Sequence, residues 1–287
     1  HMLDQGGDVM VGLRWGRQTM GNPMMLGSSS VSPAAVNSAV CKPGTTCYLP
    51  TDMTMNMYML DIMYAAFDWM TLMVMPQYMT MDMSESVVAA DGPMNMGDMT
   101  HSTGGISDLY FSSMFRIFQT DTQEMHLNLG FTAPTGSVHQ VSFAMSYNNG
   151  HMGESGVLQD YGMQLGSGTW DFWPSLTYNA ELDGYSWGGQ LSVIEPMQNL
   201  NASGYRKGTL FQATAWAGYD FARWLRGGLR LLYTQQGAIT GAYSESSLPP
   251  DVSDPVYSPQ NYGGRVLFLG FGINPTVHDG LLAGNHF

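Results

Sequence analysis

Met53, Met55, Met57 and Met59 occupy every second position of the stretch TDMTMNMYMLDIMYAAFDWMTLMVMPQYMTMDMS, residues 51–84, and Met63, Met73, Met75, Met79, Met81 and Met83 extend the series. Side chains two apart on a β-strand share a face and repeat at roughly 6.5–7 Å, with cross-strand neighbours about 4.5–5.5 Å apart at Cβ. Flexible thioethers at that spacing can bring three or more sulfurs to one ion. The ligand is soft, so it selects Cu(I) over hard cations and most divalent metals. It needs no deprotonation and is not lost to a disulfide. The same chemistry extends to Met94, Met96, Met99 and His101 in GPMNMGDMTH, to GHMGES around His151, and to His126. These are the candidate metal ligands, and copper, as Cu(I), is the expected ion. Two rival readings keep the methionines structural or protective: gap filling in a narrow interior, or a reversible sink for oxidants. Leu, Val or Ile would fill an interior equally well, and methionine has no advantage in strands, which favours the metal.

For these methionines to share a face, strands must carry them. Period-two segments recur at about 8–20, 52–66, 69–83, 105–119, 124–133, 168–181, 185–196, 209–221, 224–236 and 263–275. That pattern, broken by Gly, Asn, Asp and Pro, is the signature of an all-β protein. The connections alternate in length. AFD, TDTQ, LDGY and ARW are short, while 21–51, 84–104, 134–167, 197–208 and 237–262 are long. A soluble sandwich has no reason to place every long loop at one end. An antiparallel transmembrane β-barrel of the bacterial outer membrane does, with short periplasmic turns and long extracellular loops. The expectation is one barrel domain over 1–287, with about ten strands and a periplasmic N-terminus.

The two faces of each segment agree. Leu109, Phe111, Phe115 and Ile117 oppose Asp108, Tyr110, Ser112, Met114 and Arg116. Leu225, Leu229, Leu231 and Tyr233 oppose Arg226 and Arg230, and Trp170, Phe172, Leu176 and Tyr178 oppose Asp171, Ser175 and Thr177. An Arg facing lipid at mid-depth costs about 2–4 kcal/mol, so the charged faces should line the lumen. Trp69, Trp187 and Trp224, beside the short turns, suit a membrane-interface girdle. In 52–66 the lipid face is Tyr58, Leu60, Ile62 and Tyr64; Asp61 and the methionines of its parity then face inward. In 69–83 the outward face is Leu72, Val74 and Tyr78. The parity of 263–275, apolar on both faces, stays open.

Composition bounds the rest. Only 11% of the 287 residues are charged, against roughly 25% in an ordinary soluble domain, while Gly (35) and Tyr (15) are plentiful. No run of about 18 apolar residues exists, so no transmembrane helix is expected. The net charge of −13 argues against nucleic acid as a partner and suits the gathering of cations. Cys41 and Cys47, in CKPGTTC, are a candidate disulfide, which would imply an oxidising compartment; free thiols are the alternative. No signal peptide is visible, and His1-Met2 reads either as native or as a cloning scar. No Gly-x-Ser-x-Gly, Gly-rich phosphate loop or His-Glu-x-x-His is present, so no enzyme is expected.

The segments GDVMVGLRWGRQTMGN, PTDMTMNMYMLDIMYAAFDWMTLMVMPQYMTMDM, GGISDLYFSSMFRIF, LNLGFTAPTGS, MQLGSGTWDFWPSLTY and TAWAGYDFARWLRGGLRLLY together resemble a family of bacterial outer-membrane transporters. That family is related to the "MetA-pathway of phenol degradation" family and is often encoded among copper-handling genes. The resemblance runs over residues 1–287. It implies that Met53, Met55, Met57 and Met59 form a shared Met-x-Met face, that His1-Met2 is native, and that two further strands follow LLAGNHF. A barrel of twelve would then lack its last hairpin in this chain, leaving an open edge that lipid does not tolerate. Either the sequence continues past Phe287, or a protein partner, an oligomer or the chain itself covers the edge. The cysteine pair stands outside the family pattern. Two functions besides copper conduction fit these observations: a channel for small hydrophobic or aromatic solutes, and a structural barrel that displays long loops to a partner.

Overall fold

Hairpins organise the chain, and each is closed by a short turn at the same end. The computed structural model describes residues 2–3, 5–21, 24–26, 29–31, 47–88, 95–148, 151–243 and 255–275. Ten crossings form one antiparallel sheet: β1 (Val9–Gly21), β2 (Cys47–Phe67), β3a (Met70–Met75) with β3b (Gln77–Val88), β4a (Asn95–Ile106) with β4b (Leu109–Gln119), β5 (Gln123–Ala133), β6 (Asp171–Leu182), β7 (Tyr185–Pro196), β8 (Leu210–Ala222), β9 (Leu225–Gln236) and β10 (Gly264–Pro275). Two crossings are split. Pro76 has no N–H to give the ladder and interrupts β3, although its carbonyl still accepts from Leu60 N at 3.1 Å. Ser107 and Asp108 interrupt β4. At Asp183-Gly184 both residues have positive φ, 51° and 79°, which is the two-residue hairpin turn that matches strand twist.

Each strand pairs with its sequence neighbour, so the sheet curls as an up-and-down barrel wall. Among the described residues β1 pairs with β2 alone and β10 with β9 alone, and no ladder joins them. The pairing also settles the parity of β10. Leu267, Leu269 and Phe271 lie opposite Tyr233, Leu231 and Leu229 and therefore share their outward face.

The outer surface is apolar and carries two aromatic belts. At the short-turn end Phe67 stacks on Trp69 (5.3 Å between ring centroids), Trp69 on Phe115 (6.2 Å), and Tyr185 meets Tyr219 (4.7 Å). At the long-loop end Tyr58 meets Tyr78 (6.5 Å), Phe111 meets Phe131 (5.9 Å), and Phe131 meets Phe172 (5.1 Å). Tyr58 and Phe67 are nine positions apart on β2. That is roughly 30 Å along a strand and about 21–25 Å in height at the usual barrel tilt, the thickness of an outer-membrane apolar band.

One sector of the wall is taller than the rest. β2 runs for 21 residues, and β3b and β4a rise beside it. The sequence reading placed Met94, Met96, Met99 and His101 in a long loop. Instead Met96, Met99 and His101 lie on β4a, which pairs with β3b from Val88↔Asn95 down to Tyr78↔Ile106. Ladder pairing there overrides a Gly- and Asp-rich composition that reads as loop. The 134–167 connection likewise contains a hairpin, Val141–Asn148 with His151–Leu158.

Candidate metal-binding face

The backbone register sets the methionines in rows across β1, β2, β3 and β4. From the long-loop end the rows read Met20–Met53–Met83–His101, Gln18–Met55–Met81–Thr103, Gly16–Met57–Met79–Gly105, and Arg14–Met59–Gln77. Near the short turns comes Met10–Met63–Met73–Ser112. Asp61, Met63, Thr71, Met75, Met81 and Met83 are buried, whereas Tyr58, Ile62, Tyr64, Leu72 and Tyr78 are exposed. The inward parity expected for both strands therefore holds. Met94 and Cys41 lie outside the described residues, and with Cys41 goes the expected disulfide to Cys47. The side chains of Met96, Met99 and His151 are also outside them.

The upper rows are roofed. Met81 and Met83 form a buried cluster with Met163 and Leu165, and Met53, Met55 and Met79 pack against it. Met163 belongs to a short 3-10 turn, Tyr161–Met163, in the third long loop, and is 0% exposed. The loop is fixed to the tall wall at two points: Thr103 Oγ1 donates to Met163 O (3.0 Å), and Ser107 Oγ to Leu165 O (2.6 Å). Gly105 permits the close approach, since a Cβ there would stand 2.8 Å from Leu165 Cδ1. Asp108 accepts from Gly136 N (2.9 Å) and Ser167 N (2.6 Å), holding both ends of the loop.

Above the turn lies a tyrosine cage. Tyr161 stacks on Tyr243 at 4.3 Å and meets Tyr205 and Tyr262 edge-on. Asp160 caps the turn, accepting from Gly162 N (2.7 Å) and Tyr262 OH (3.0 Å). Burial pushes its carboxyl up to about 6, offset in part by those two hydrogen bonds.

His101 Nε2 lies 3.1 Å from Glu85 Oε2 at the rim of this cluster, beside Met83 in the ladder. Lower on the same face Arg14 grips Asp61 through two bonds, Nε to Oδ2 at 2.5 Å and Nη2 to Oδ1 at 2.6 Å. Arg14 Nη2 also reaches Met75 Sδ at 3.3 Å. The ion pair divides the methionines into an upper and a lower group.

Among the described residues no three His, Cys, Asp or Glu side chains converge to hold a metal. Any ion held on this face would be held chiefly by sulfur. Sequence reasoning missed Met163 and Met2 as members of the face. Met114 was placed inward by its parity but carried no role. Met163 sits in a loop without periodicity, so no sequence signal could have found it.

Elsewhere the interior carries buried polar groups. Ser112 Oγ, His126 Nδ1 and Asn128 Oδ1 are buried without a hydrogen-bond partner, and His126 Nδ1 stands 3.5 Å from Glu124 Oε1. Beyond them a cavity of about 760 Å³ opens near the short turns, lined by Gln123, Asn179, Ser186, Trp216, Arg226 and Arg230 among others. Arg226 bonds Asp220 (2.5 and 2.9 Å) and Glu181 (2.9 Å) there, so its inward direction is as the sequence predicts.

No protein-family profile and no curated protein matches the chain. Among solved structures it is similar to an outer-membrane channel from Pseudomonas putida F1, at 16% identity and a TM-score of 0.50, over 82% of this chain and 75% of that one. The likeness fixes the fold: an antiparallel β-barrel wall of the kind that outer-membrane channel has.

Proposed function

We propose that the protein is an outer-membrane barrel whose inward methionine face binds Cu(I) as cargo and carries it toward the periplasmic side. The single observation behind this reading is the convergence of Met53, Met55, Met79, Met81, Met83 and Met163 on one buried cluster, with a thioether contributed by a loop that has no strand periodicity to explain it. Packing alone needs no sulfur at so many positions. The acidic chain, at −13, attracts cations to the mouth. The short turns then face the periplasm and the tall wall faces outward. Repeated neutral thioethers give soft sites that an ion can leave, as conduction requires. Anaerobic Cu(I) titration of the detergent-folded protein against a competing chelator tests this. The comparison is a variant with Leu at Met53, Met55, Met81 and Met83. Fewer equivalents bound by the variant than by the wild type support the reading; equal binding, or none in either protein, removes it.

A channel for small solutes is the second reading, and the 760 Å³ cavity beside Trp216 favours it. On that reading the Leu variant conducts solute as the wild type does in a liposome-swelling assay.

A further inference from the structure

A second group of thioethers lies at the floor of the same face, and one of them comes from outside the sheet. Met2, Met63 and Met114 form a buried cluster, with Met73 and Leu3 packed against it. Four chain segments supply the four sulfurs: the N-terminal arm, β2, β3a and β4b. Met63 and Met73 are direct cross-strand partners, and Met114 stands opposite Thr71, two positions from Met73. Met2 is 1% exposed. Its position is set by the arm, which is pinned at several points. Leu3 N donates to Thr71 Oγ1 (3.3 Å), and Arg116 Nη2 donates to Leu3 O (3.0 Å). Gly6 N donates to Asp68 Oδ1 (2.7 Å) and Gly7 N to Ala65 O (2.8 Å). The arm thus turns up into the lumen and presses a flexible thioether against three others.

We propose that this floor is a second soft-metal site, a four-thioether pocket of Met2, Met63, Met73 and Met114 that takes Cu(I) separately from the upper cluster. It rests on the Cu(I) reading of the methionine face. Thioethers are neutral, so four of them surround a monovalent soft ion without adding charge repulsion, and they discriminate against hard ions such as Mg(II) and Ca(II). The Arg14–Asp61 pair stands between the two groups, so each site fills independently. Because Met2 is carried by an arm and not by a strand, the floor site gains or loses a ligand as the arm docks or leaves.

The test is anaerobic Cu(I) titration of the full chain with competing chelator, in wild type, Met2→Leu, Met2→Leu/Met114→Leu and the upper-cluster Leu variant. In parallel, Ag(I) is followed through the 13C-methyl methionine resonances. The expected result is that the double floor variant loses one equivalent and keeps the upper binding. The upper-cluster variant keeps that one equivalent, and Ag(I) shifts the Met2 and Met114 methyl signals in wild type. Met2→Leu leaves every strand intact, so a loss of affinity at one equivalent in that variant is independent of barrel folding. Equal stoichiometry and affinity in wild type and floor variants, with upper binding present, overturns the floor site alone. No Cu(I) bound by any of the proteins overturns the floor site together with the copper reading.

Discussion

Arg14 and Asp61 lie diagonally across β1 and β2 and are joined by two bonds of 2.5 and 2.6 Å, midway down a face rich in methionine. Asp61 is nearly buried, while the Arg14 side chain is 57% exposed. On the conduction reading, charge would therefore stand in the path of an ion descending this face, with the guanidinium toward the open space. A unit charge about 5 Å from the path contributes roughly 1 kcal/mol at water-like screening, or about fivefold. Arg14→Gln should therefore raise monovalent-cation conductance about fivefold or more in planar bilayers, without raising that of anions. Unchanged cation conductance would mean that the path lies elsewhere in the lumen.

Replacing Met53, Met55, Met81 and Met83 with Leu should separate binding from stability. Met-to-Leu exchange conserves volume and usually costs less than about 1.5 kcal/mol per site. The variant should keep its heat-modifiable gel shift and its strand circular dichroism, while Cu(I) affinity falls by at least tenfold. Loss of the folded band along with the metal would return these residues to a packing role.

Asp160 gives the roof a pH dependence. Its carboxyl moves from 3.8 to about 6 because burial disfavours the charged form. The docked loop is then most stable below about pH 4, and this contribution is lost as pH rises through about 6. At neutral pH the ionised group costs the loop at most about 3 kcal/mol. Hydrogen exchange over residues 158–170, divided by the intrinsic amide exchange rate at each pH, should accelerate between about pH 5 and 7 in the wild type. Asp160→Asn should flatten that rise; a profile that stays as steep in the variant assigns the titration to another group.

Asp108 is the stronger anchor of the same loop. Replacing it with Ala leaves two buried amides, Gly136 N and Ser167 N, without their acceptor, at about 1–3 kcal/mol each. Limited proteolysis should then cut within 134–170 while the barrel stays folded. Unchanged protection would show that Thr103 and Ser107 hold the loop by themselves.

Strand existence and facing were legible in the sequence wherever one face is apolar and the other polar or methionine-rich. Asp61 among the methionines and Tyr58, Ile62 and Tyr64 opposite them fix the parity of β2 from sequence alone. In β10 Leu267 and Phe268 are both apolar, so neither face declares itself; pairing with Leu231 and Tyr233 decides it. β4a was unreadable for a different reason. Its Gly97, Gly104 and Gly105 and the preceding Gly-Pro carry loop signals, and only the partner strand β3b makes it a strand. Part of the site was illegible as well, because its assembly is tertiary. Met163 arrives on a roof loop and Met2 on an arm, and neither position has a period to report.

The tall sector has a consequence for dehydration. Met53, Met55, Met81, Met83 and His101 all lie beyond Tyr58 and Tyr78, on the loop side of the upper aromatic belt. A cation seated among them would exchange its hydration shell for sulfur before it enters the low-dielectric slab. The costly step would be completed on the aqueous side, and descent through the bilayer would become ligand-for-ligand exchange between neighbouring rows.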